Sequence, residues 1–350
     1  MMKVVHVVSS LNMGGAERFV LDLASFQQAN MDLDVDIVSM GKATDALYQK
    51  VVEQNYKVHL ATTVNQLRRL FNEADIVHVH SSYCLARVAL SLLGLKAKFI
   101  YTRHNQHPLL GLKWRSIYRL VFARLHQAVF VSRTAEQQFL QHYQHFKGKT
   151  TVVLNGITAI AQAPNQFGFK EGERRLNIAH VGRFVPLKAQ HLLLEAVSKL
   201  TAPIRDKITV NFYGDGPLKA KNQALAKQLK IEHMVNFHGN VSEQQGIYQG
   251  NDVLVVTSET EGLSLVILEA FSAAIPCIAS RVGGNVELVK DNETGWLYDY
   301  QDTSKLAEIV TSIVKQPDLI ARTGQTSLLY FQTHFTMHKC AESYKQVYTS

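Results

Sequence analysis

The sequence predicts an α/β protein built from two doubly wound, Rossmann-like domains that face each other across a cleft. Three observations predict it. The chain has 350 residues, more than one domain usually holds. Short, nearly continuous apolar runs alternate with longer stretches of helical periodicity, as parallel strands covered on both faces require. The alternation breaks once, in a stretch rich in breakers at 155–175, and then restarts.

In order along the first half, KVVHVVS, LDVDIVSM, DIVHVHS, AKFIYTR, QAVFVS and TVVLN are the predicted strands, with helical stretches such as AERFVLDLASFQQ between several of them. NGITAIAQAPNQFGFKEGERR, with Pro164 inside it, is the predicted linker. LNIAHVG, KITVNFYG, MVNFHG, DVLVVTS, PCIAS and GWLY are the predicted strands of the second half. Each half opens with strand, glycine loop and helix. The expected domains are residues 1–160 and 161–330, with a last helix over 331–350 crossing back to the first domain.

Composition narrows the class. At 46% apolar and 19% charged residues, usage is that of a globular protein. Three scattered cysteines, Cys84, Cys277 and Cys340, show no metal-ligand spacing and fit a reducing cytoplasm. The first fifteen residues lack the long apolar core of a signal peptide. No run reaches the roughly 18 apolar residues of a spanning helix. The net charge is +8, and residues 1–158 hold 18 Lys and Arg against 10 Asp and Glu, while the remainder is balanced at 19 each. From Ile76 to Ala135 there are nine basic residues and no acid, which points to an anionic partner.

The candidate site centres on SETEGL, between the strand DVLVVTS and the apolar helical run SLVILEAFSAA. A loop leaving a strand's carboxyl end is where open α/β sheets bind ligands. The free N–H groups of Leu263, Ser264, Leu265 and Val266 would favour a phosphate, and Gly262 would let the backbone approach it. Glu261 could accept hydrogen bonds from a sugar, and Glu269 from ribose hydroxyls. The plainer alternative is a capping box of Ser258 and Glu261, with Glu269 solvated. Arg183 and Lys188, five apart on the loop that follows Gly182, could clamp a diphosphate without a metal. Gly14 and Gly15 hold the matching turn in the first half but lack a dinucleotide fingerprint's third glycine. DLDVD could imitate a metal-binding pair of aspartates, yet its alternation fits a solvated strand face, and no metal site is expected.

Taken together and in order, MGGAE, TRHN, VVLNGI, VGRFVPLKAQ, YGDGPL, FHGNV, SETEGLSLVILEA and VGGNVELVKDNETGWLY resemble the retaining glycosyltransferases of family 4, which have the two-domain GT-B fold. The resemblance covers almost the whole chain. It implies that Glu261 binds donor-sugar hydroxyls near the reacting carbon and Glu269 holds the nucleotide ribose. Arg183 and Lys188 would stabilise the departing diphosphate, and Gly15 would approach it from the other domain. His104 would face the donor sugar, and Asn240 and Val241 would lie beside the base. His104 has a plainer alternative too, a histidine merely hydrogen-bonded at a strand end. The resemblance further implies retention at the anomeric carbon, without metal or other cofactor. This sequence departs from the family in Asn105, where an aspartate is common, and in Thr158, where an acid usually follows NGI.

The function expected is transfer of a sugar from a nucleotide sugar, UDP favoured over GDP, to a glycan or lipid-linked saccharide in cell-envelope polysaccharide synthesis. Arg103, Lys113, Arg115 and Arg119 are expected on the acceptor or membrane side, with the protein cytoplasmic or peripheral on the inner face of the plasma membrane. The segment 108–125 could equally be a core helix with a solvated basic face. Alternatives are a hydrolase or epimerase of the same fold, or a nucleic-acid binder. No interleaved aromatics support the last, so nucleic acid is not an expected partner.

Overall fold

The structure, a computed structural model, describes residues 1–12, 14–105, 109–160, 175–241 and 244–350. The central part of the predicted linker, 161–174, lies outside the described residues, as do Met13 and Pro108. The chain divides into two compact units, Met1–Thr158 with Met337–Ser350, and Ala159–Thr336.

The first unit is a seven-stranded sheet of β1 (Met2–Val8), β2 (Leu33–Ser39), β3 (Lys57–Leu60), β4 (Ile76–Val79), β5 (Lys98–Arg103), β6 (Gln127–Phe130) and β7 (Thr150–Val152). Its order is β3-β2-β1-β4-β5-β6-β7, and its pairings are parallel. The second unit is a six-stranded sheet of β8 (Leu176–Val181), β9 (Ile208–Tyr213), β10 (Val235–Gly239), β11 (Val253–Val256), β12 (Cys277–Ser280) and β13 (Gly295–Tyr298). Its order is β10-β9-β8-β11-β12-β13, again parallel.

Strand β3 is absent from the sequence reading. It is four residues long, half-exposed and at the sheet's edge, so it lacks the apolar run that betrays a buried strand. Each sheet reverses its winding once, between β1 and β4 and between β8 and β11. The crevice beyond the strands' carboxyl ends at such a switch point is the fold's natural ligand site.

Alternation assigns the two faces of the first sheet. Val5, Val7, Val77, Val79, Phe99 and Tyr101 point into an aromatic-rich core with Tyr118, Phe122 and Phe139. The intervening residues His6, His78 and Thr102 are buried on the other face, among Gln27 of helix Gly15–Asn30 and Tyr344 and Tyr348 of helix Met337–Thr349.

The solvated strand face expected of DLDVD is only partly found. Asp36 is 3% exposed, with Lys3 Nζ and His59 Nε2 each at 3.3 Å, and Asp34 pairs with Lys57. Strand β2 is buried along most of its length, so its carboxylates are neutralised by cations of β1 and β3 rather than by water.

Candidate functional site

In the second unit the loops that leave β8, β9, β11 and β12 are joined backbone to backbone, and glycines permit the approach. Gly214 has φ +128°, and a Cβ there would stand 2.2 Å from the Gly182 carbonyl oxygen. A Cβ on Gly284 would stand 2.1 Å from the Gly262 carbonyl oxygen, while the Gly284 N–H donates to the Glu261 carbonyl at 3.1 Å. YGDGPL and VGGN are therefore motifs of close packing, which any larger residue would pry apart.

These loops bring Lys188 and Glu261 together. Lys188 closes a short 3-10 turn, Pro186–Lys188, followed by Ala189 in the left-handed region at φ +47°. Its carbonyl accepts from Thr257 Oγ1 at 2.7 Å, and the Leu187 carbonyl accepts from the Glu259 N–H at 2.8 Å. Lys188 Nζ then lies 2.5 Å from Glu261 Oε1, and Ser258 Oγ donates to the same oxygen at 2.6 Å. The capping-box alternative fails: the helix Leu265–Ser272 is capped at Ser264, and Ser258 bonds the carboxylate instead of a backbone N–H.

At this helix start Ser264 is 2% exposed and its Oγ has no partner, making no side-chain cap bond. A buried hydroxyl without a partner costs free energy unless something else satisfies it. Leu263 is buried, whereas Gly262, Leu265 and Val266 keep part of their surface. Arg183 is exposed on the loop that follows Gly182. Glu269 is buried at 8% exposure rather than solvated, and its Oε2 accepts from Tyr248 OH at 2.6 Å. Asn240 and Val241 are exposed just past β10. The second unit thus assembles Lys188, Glu261, Ser258 and Ser264 at the β8–β11 switch point.

In the first unit Gly14 is the extended cap of helix Gly15–Asn30, at the exit of β1. His104 follows β5, half-buried, its ring edge-on to Phe19 at 5.4 Å. His104 Nε2 lies 3.2 Å from His80 Nδ1, and behind it runs a buried polar network absent from the sequence reading. His80 Nε2 meets His6 Nδ1 at 2.8 Å, and His6 Nε2 meets Gln27 Oε1 at 2.8 Å. Gln27 Nε2 donates to Tyr348 OH, which also meets His78 Nδ1 at 2.8 Å, and His78 Nε2 meets Thr102 Oγ1 at 2.7 Å. Loss of hydration pushes His6 and His104 down to about 4 and holds His78 and His80 well below the usual histidine value. The signal in the sequence was histidine at alternate positions, His78 and His80, within an otherwise apolar strand. Among the described residues His6, His78 and His80 are also the one trio whose ligand atoms lie within 4.8 Å of one another.

Arg103 requires correction. It is 1% exposed: Nε donates to the Asn105 carbonyl at 2.8 Å, and the guanidinium stands 5.8 Å from the Phe139 ring centre. Strand alternation turns it into the core, so it offers no charge to a membrane or acceptor. Lys113, Arg115 and Arg119 are exposed on helix Leu112–Arg124, beside Leu112 and Leu120. No helix among the described residues is long and apolar enough to cross a membrane.

Comparison with known proteins adds the family. Residues 13–159 match Glycosyltransferase Family 4, and residues 162–327 match Glycosyl transferases group 1. Among curated proteins, the N-acetyl-alpha-D-glucosaminyl L-malate synthase of Bacillus anthracis is 25% identical over 84% of this chain and 79% of its own. The putative glycosyltransferase EpsD of Bacillus subtilis (strain 168) is 27% identical over 80% of this chain and 79% of its own. Among solved structures, Anabaena Alr3699/HepE in complex with UDP and glucose superposes with a TM-score of 0.87 over the full length of both chains, at 18% identity. WaaG, a glycosyltransferase involved in lipopolysaccharide biosynthesis, superposes with a TM-score of 0.74 over 97% of this chain and 99% of its own, at 17% identity. With its two family matches spanning nearly the whole sequence and its two parallel sheets of GT-B type, the chain belongs to the family-4-like glycosyltransferases.

Proposed function

We propose that the protein is a retaining, metal-independent transferase that moves a sugar from a UDP-sugar to a glycan or lipid-linked saccharide of the cell envelope. The observation that carries this is the Lys188–Glu261 pair beside the unpartnered Ser264 hydroxyl, all at one switch point. A diphosphate at the start of helix Leu265–Ser272 would give Ser264 its missing partner. It would also draw on the charge of Lys188, with Arg183 added from the exposed side. Such preorganised cations stabilise the charge that develops on a leaving group. They do so without an ion held by carboxylates, which agrees with Asp34 and Asp36 being committed to Lys57 and Lys3.

In the transfer, the bond between the sugar's anomeric carbon and the β-phosphate oxygen breaks, and the acceptor oxygen bonds to that carbon on the same face. The acceptor's proton passes to the departing phosphate, so no protein base is required. Glu261 orients sugar hydroxyls, and Glu269, buried and acceptor-rich, takes the ribose. Asn240 and Val241 complete the second unit's donor contacts in this proposal, and Gly14, Gly15 and His104 are the first unit's own candidates for ligand contact. The solved relatives that hold UDP favour uridine over guanosine. Lys113, Arg115 and Arg119 serve an anionic acceptor or the inner leaflet of the plasma membrane.

The test is a thermal-shift series against UDP, GDP and their sugars, followed by product analysis with and without saccharide acceptors and with EDTA. A ligand that binds the native state raises the melting temperature. Stabilisation by UDP, acceptor-dependent transfer with the α or β configuration preserved, and activity in EDTA are the expected results. Free sugar as the sole product would make the protein a hydrolase, and inversion at the anomeric carbon would refute the mechanism.

A further inference from the structure

The pairing of β8 with β11 runs through Ile178–Val253 and Ala179–Leu254 and stops there. Past that point the two strands open into the crevice of the switch point, and side chains take over from the ladder. Thr257, buried just past β11, donates its hydroxyl to the Lys188 carbonyl at 2.7 Å. His180, buried on β8, stands with Nε2 2.9 Å from the same hydroxyl oxygen.

A backbone carbonyl sets the direction of this chain, because it can only accept. The one hydroxyl proton of Thr257 therefore goes to Lys188, and the hydroxyl oxygen accepts from His180 Nε2–H. Burial, with the Lys188 charge nearby, pushes His180 down to about 3, so its ring is neutral and has a single N–H. His180 Nδ1 is then a bare lone pair, and it is buried without a hydrogen-bond partner. The opposite arrangement would turn the Thr257 proton away from the Lys188 carbonyl and put an N–H at the unpartnered Nδ1. Each group left unsatisfied in that way costs free energy.

The turn that receives this bond is strained. Ala189 follows Lys188 at φ +47°, a region that a residue with a Cβ rarely adopts and keeps only where its surroundings hold it. Two bonds from the far loop hold the turn, the one from Thr257 and the one from the Glu259 N–H to the Leu187 carbonyl at 2.8 Å. The ammonium of Lys188 sits on a flexible four-carbon stem, so it is placed no better than the backbone that carries it.

We propose that His180 and Thr257 are positioning residues for Lys188: the Thr257 hydroxyl, oriented by the His180 ring, holds the Lys188 carbonyl and so fixes the turn that aims the ammonium at Glu261. The assignment rests on the reading above of Lys188 as a cation at the leaving diphosphate. Thr257 and His180 are 0% and 2% exposed, too deep to meet a ligand, so both act through Lys188.

Thr257→Val keeps the shape and removes the hydroxyl, and Thr257→Ser keeps the hydroxyl. Turnover of a UDP-sugar that wild type uses should fall about tenfold in the valine variant, the worth of one buried hydrogen bond, and most of it should remain in the serine variant. A general loosening of the unit would lower turnover in any background. Misplacement of Lys188 would not: with Lys188→Ala already present, Thr257→Val should cost less than about twofold more. A tenfold fall in that background, or a serine variant as slow as the valine one, would overturn the proposal.

Two measurements need no substrate. Long-range proton–nitrogen spectra of the full chain labelled on histidine should show Nε2–H on His180, and Nδ1–H there would overturn the proposal. Urea unfolding of the second unit can be read at Trp296 in a Trp114→Phe chain. Thr257→Val should raise the unfolding constant about threefold more when the Lys188–Glu261 pair is intact than in Lys188→Ala. Equal effects in both backgrounds would overturn it. If wild type turns over no UDP-sugar, the functional reading fails alone, and these two measurements decide the positioning of Lys188 by themselves.

Discussion

The two units share a plan, a parallel sheet wound both ways, and differ in where they bury polar groups. The second unit buries only separate polar groups in its sheet, His180, Asn211 and Ser280, and gathers the polarity of its candidate site in the loops beyond the strands, at Lys188, Glu261, Ser258 and Ser264. The first unit carries polarity through the sheet itself, in a face made of His6, His78, His80 and Thr102. A polar loop can exchange its partners for a ligand. A polar core network cannot rearrange without leaving groups unsatisfied, so it holds a shape. The contrast separates a region built to bind from one built to position.

The largest expected effect comes from acid, and it should fall on the first unit. The folded pKa of its histidines lies below the unfolded value, so folding favours their neutral form. Stability is then fully present above about 6.5 and lost as pH falls towards about 4. Each proton that the unfolded chain binds and the folded chain refuses costs about 1.4 kcal/mol per pH unit. The first unit has His6, His78, His80 and His104 in this state, whereas the second has His180, pushed down to about 3 by burial. Trp114 belongs to the first unit and Trp296 to the second. Urea unfolding of Trp296→Phe and Trp114→Phe variants, followed by fluorescence between pH 7 and pH 5, reads the units separately. The Trp114 midpoint should drop further. An equal drop in both would erase the comparison.

How much of this was legible in the sequence differs between the units in the same way. The second unit's site was legible because binding loops punctuate the chain: SETEGL, YGDGPL and VGG are breaks between apolar runs, and spacing alone locates them. The pairing of Lys188 with Glu261 was not, since a contact across 73 positions leaves no local trace. The first unit's buried polar network was harder still. Its members come from β1, β4, two helices and the turn after β5, and each histidine alone reads as an ordinary strand residue. Arg103 was misplaced for a related reason. A cation in a basic stretch looks solvated until alternation along β5 is known, and its partner Tyr118 lies on another element.

Next in size is the loss of a cation at the second unit's site. Arg183→Ala and Lys188→Ala should each lower turnover about a hundredfold, the usual cost of removing one preorganised charge-stabilising donor. Their stabilities should differ. Arg183 is exposed, so its removal should leave the melting temperature unchanged. Lys188 neutralises the largely buried Glu261 carboxylate, so its removal should lower it. Turnover and melting temperature measured on the same preparations check both. Full activity in Lys188→Ala would remove it from the proposed site.

A smaller effect is expected at Glu269. Replacing it by alanine should weaken UDP binding by about 1.5–3 kcal/mol, the worth of a hydrogen bond to a charged group. Tyr248→Phe removes the hydroxyl that donates to Glu269 while leaving the carboxylate, so it should retain most of the affinity. Calorimetry with UDP compares the two. If Tyr248→Phe binds as weakly as Glu269→Ala, the carboxylate acts through its placement by Tyr248.

The smallest effects should come from single cations on the exposed helix Leu112–Arg124 of the first unit. Lys113, Arg115 and Arg119 stand there beside exposed Leu112 and Leu120, with Trp114 half-buried against the core. Each cation near an anionic leaflet is worth about 1 kcal/mol. Lys113→Ala, Arg115→Ala and Arg119→Ala should therefore each weaken co-sedimentation with phosphatidylglycerol vesicles about fivefold at low salt. They should leave stability within about 0.5 kcal/mol, as exposed substitutions do. Raising salt from 0.1 M to 1 M, where the Debye length shrinks from about 10 Å to about 3 Å, should release the wild type. Arg103→Ala is the internal control. Its guanidinium is buried among Asn105, Tyr118 and Phe139, so it should cost stability and leave the vesicle affinity of the folded fraction unchanged. Weaker vesicle binding by folded Arg103→Ala would mean that its charge reaches the leaflet after all, and no binding by wild type at low salt would mean that the basic stretch serves a soluble anionic acceptor. The first unit would then bind as well as position, and its contrast with the second would be one of degree.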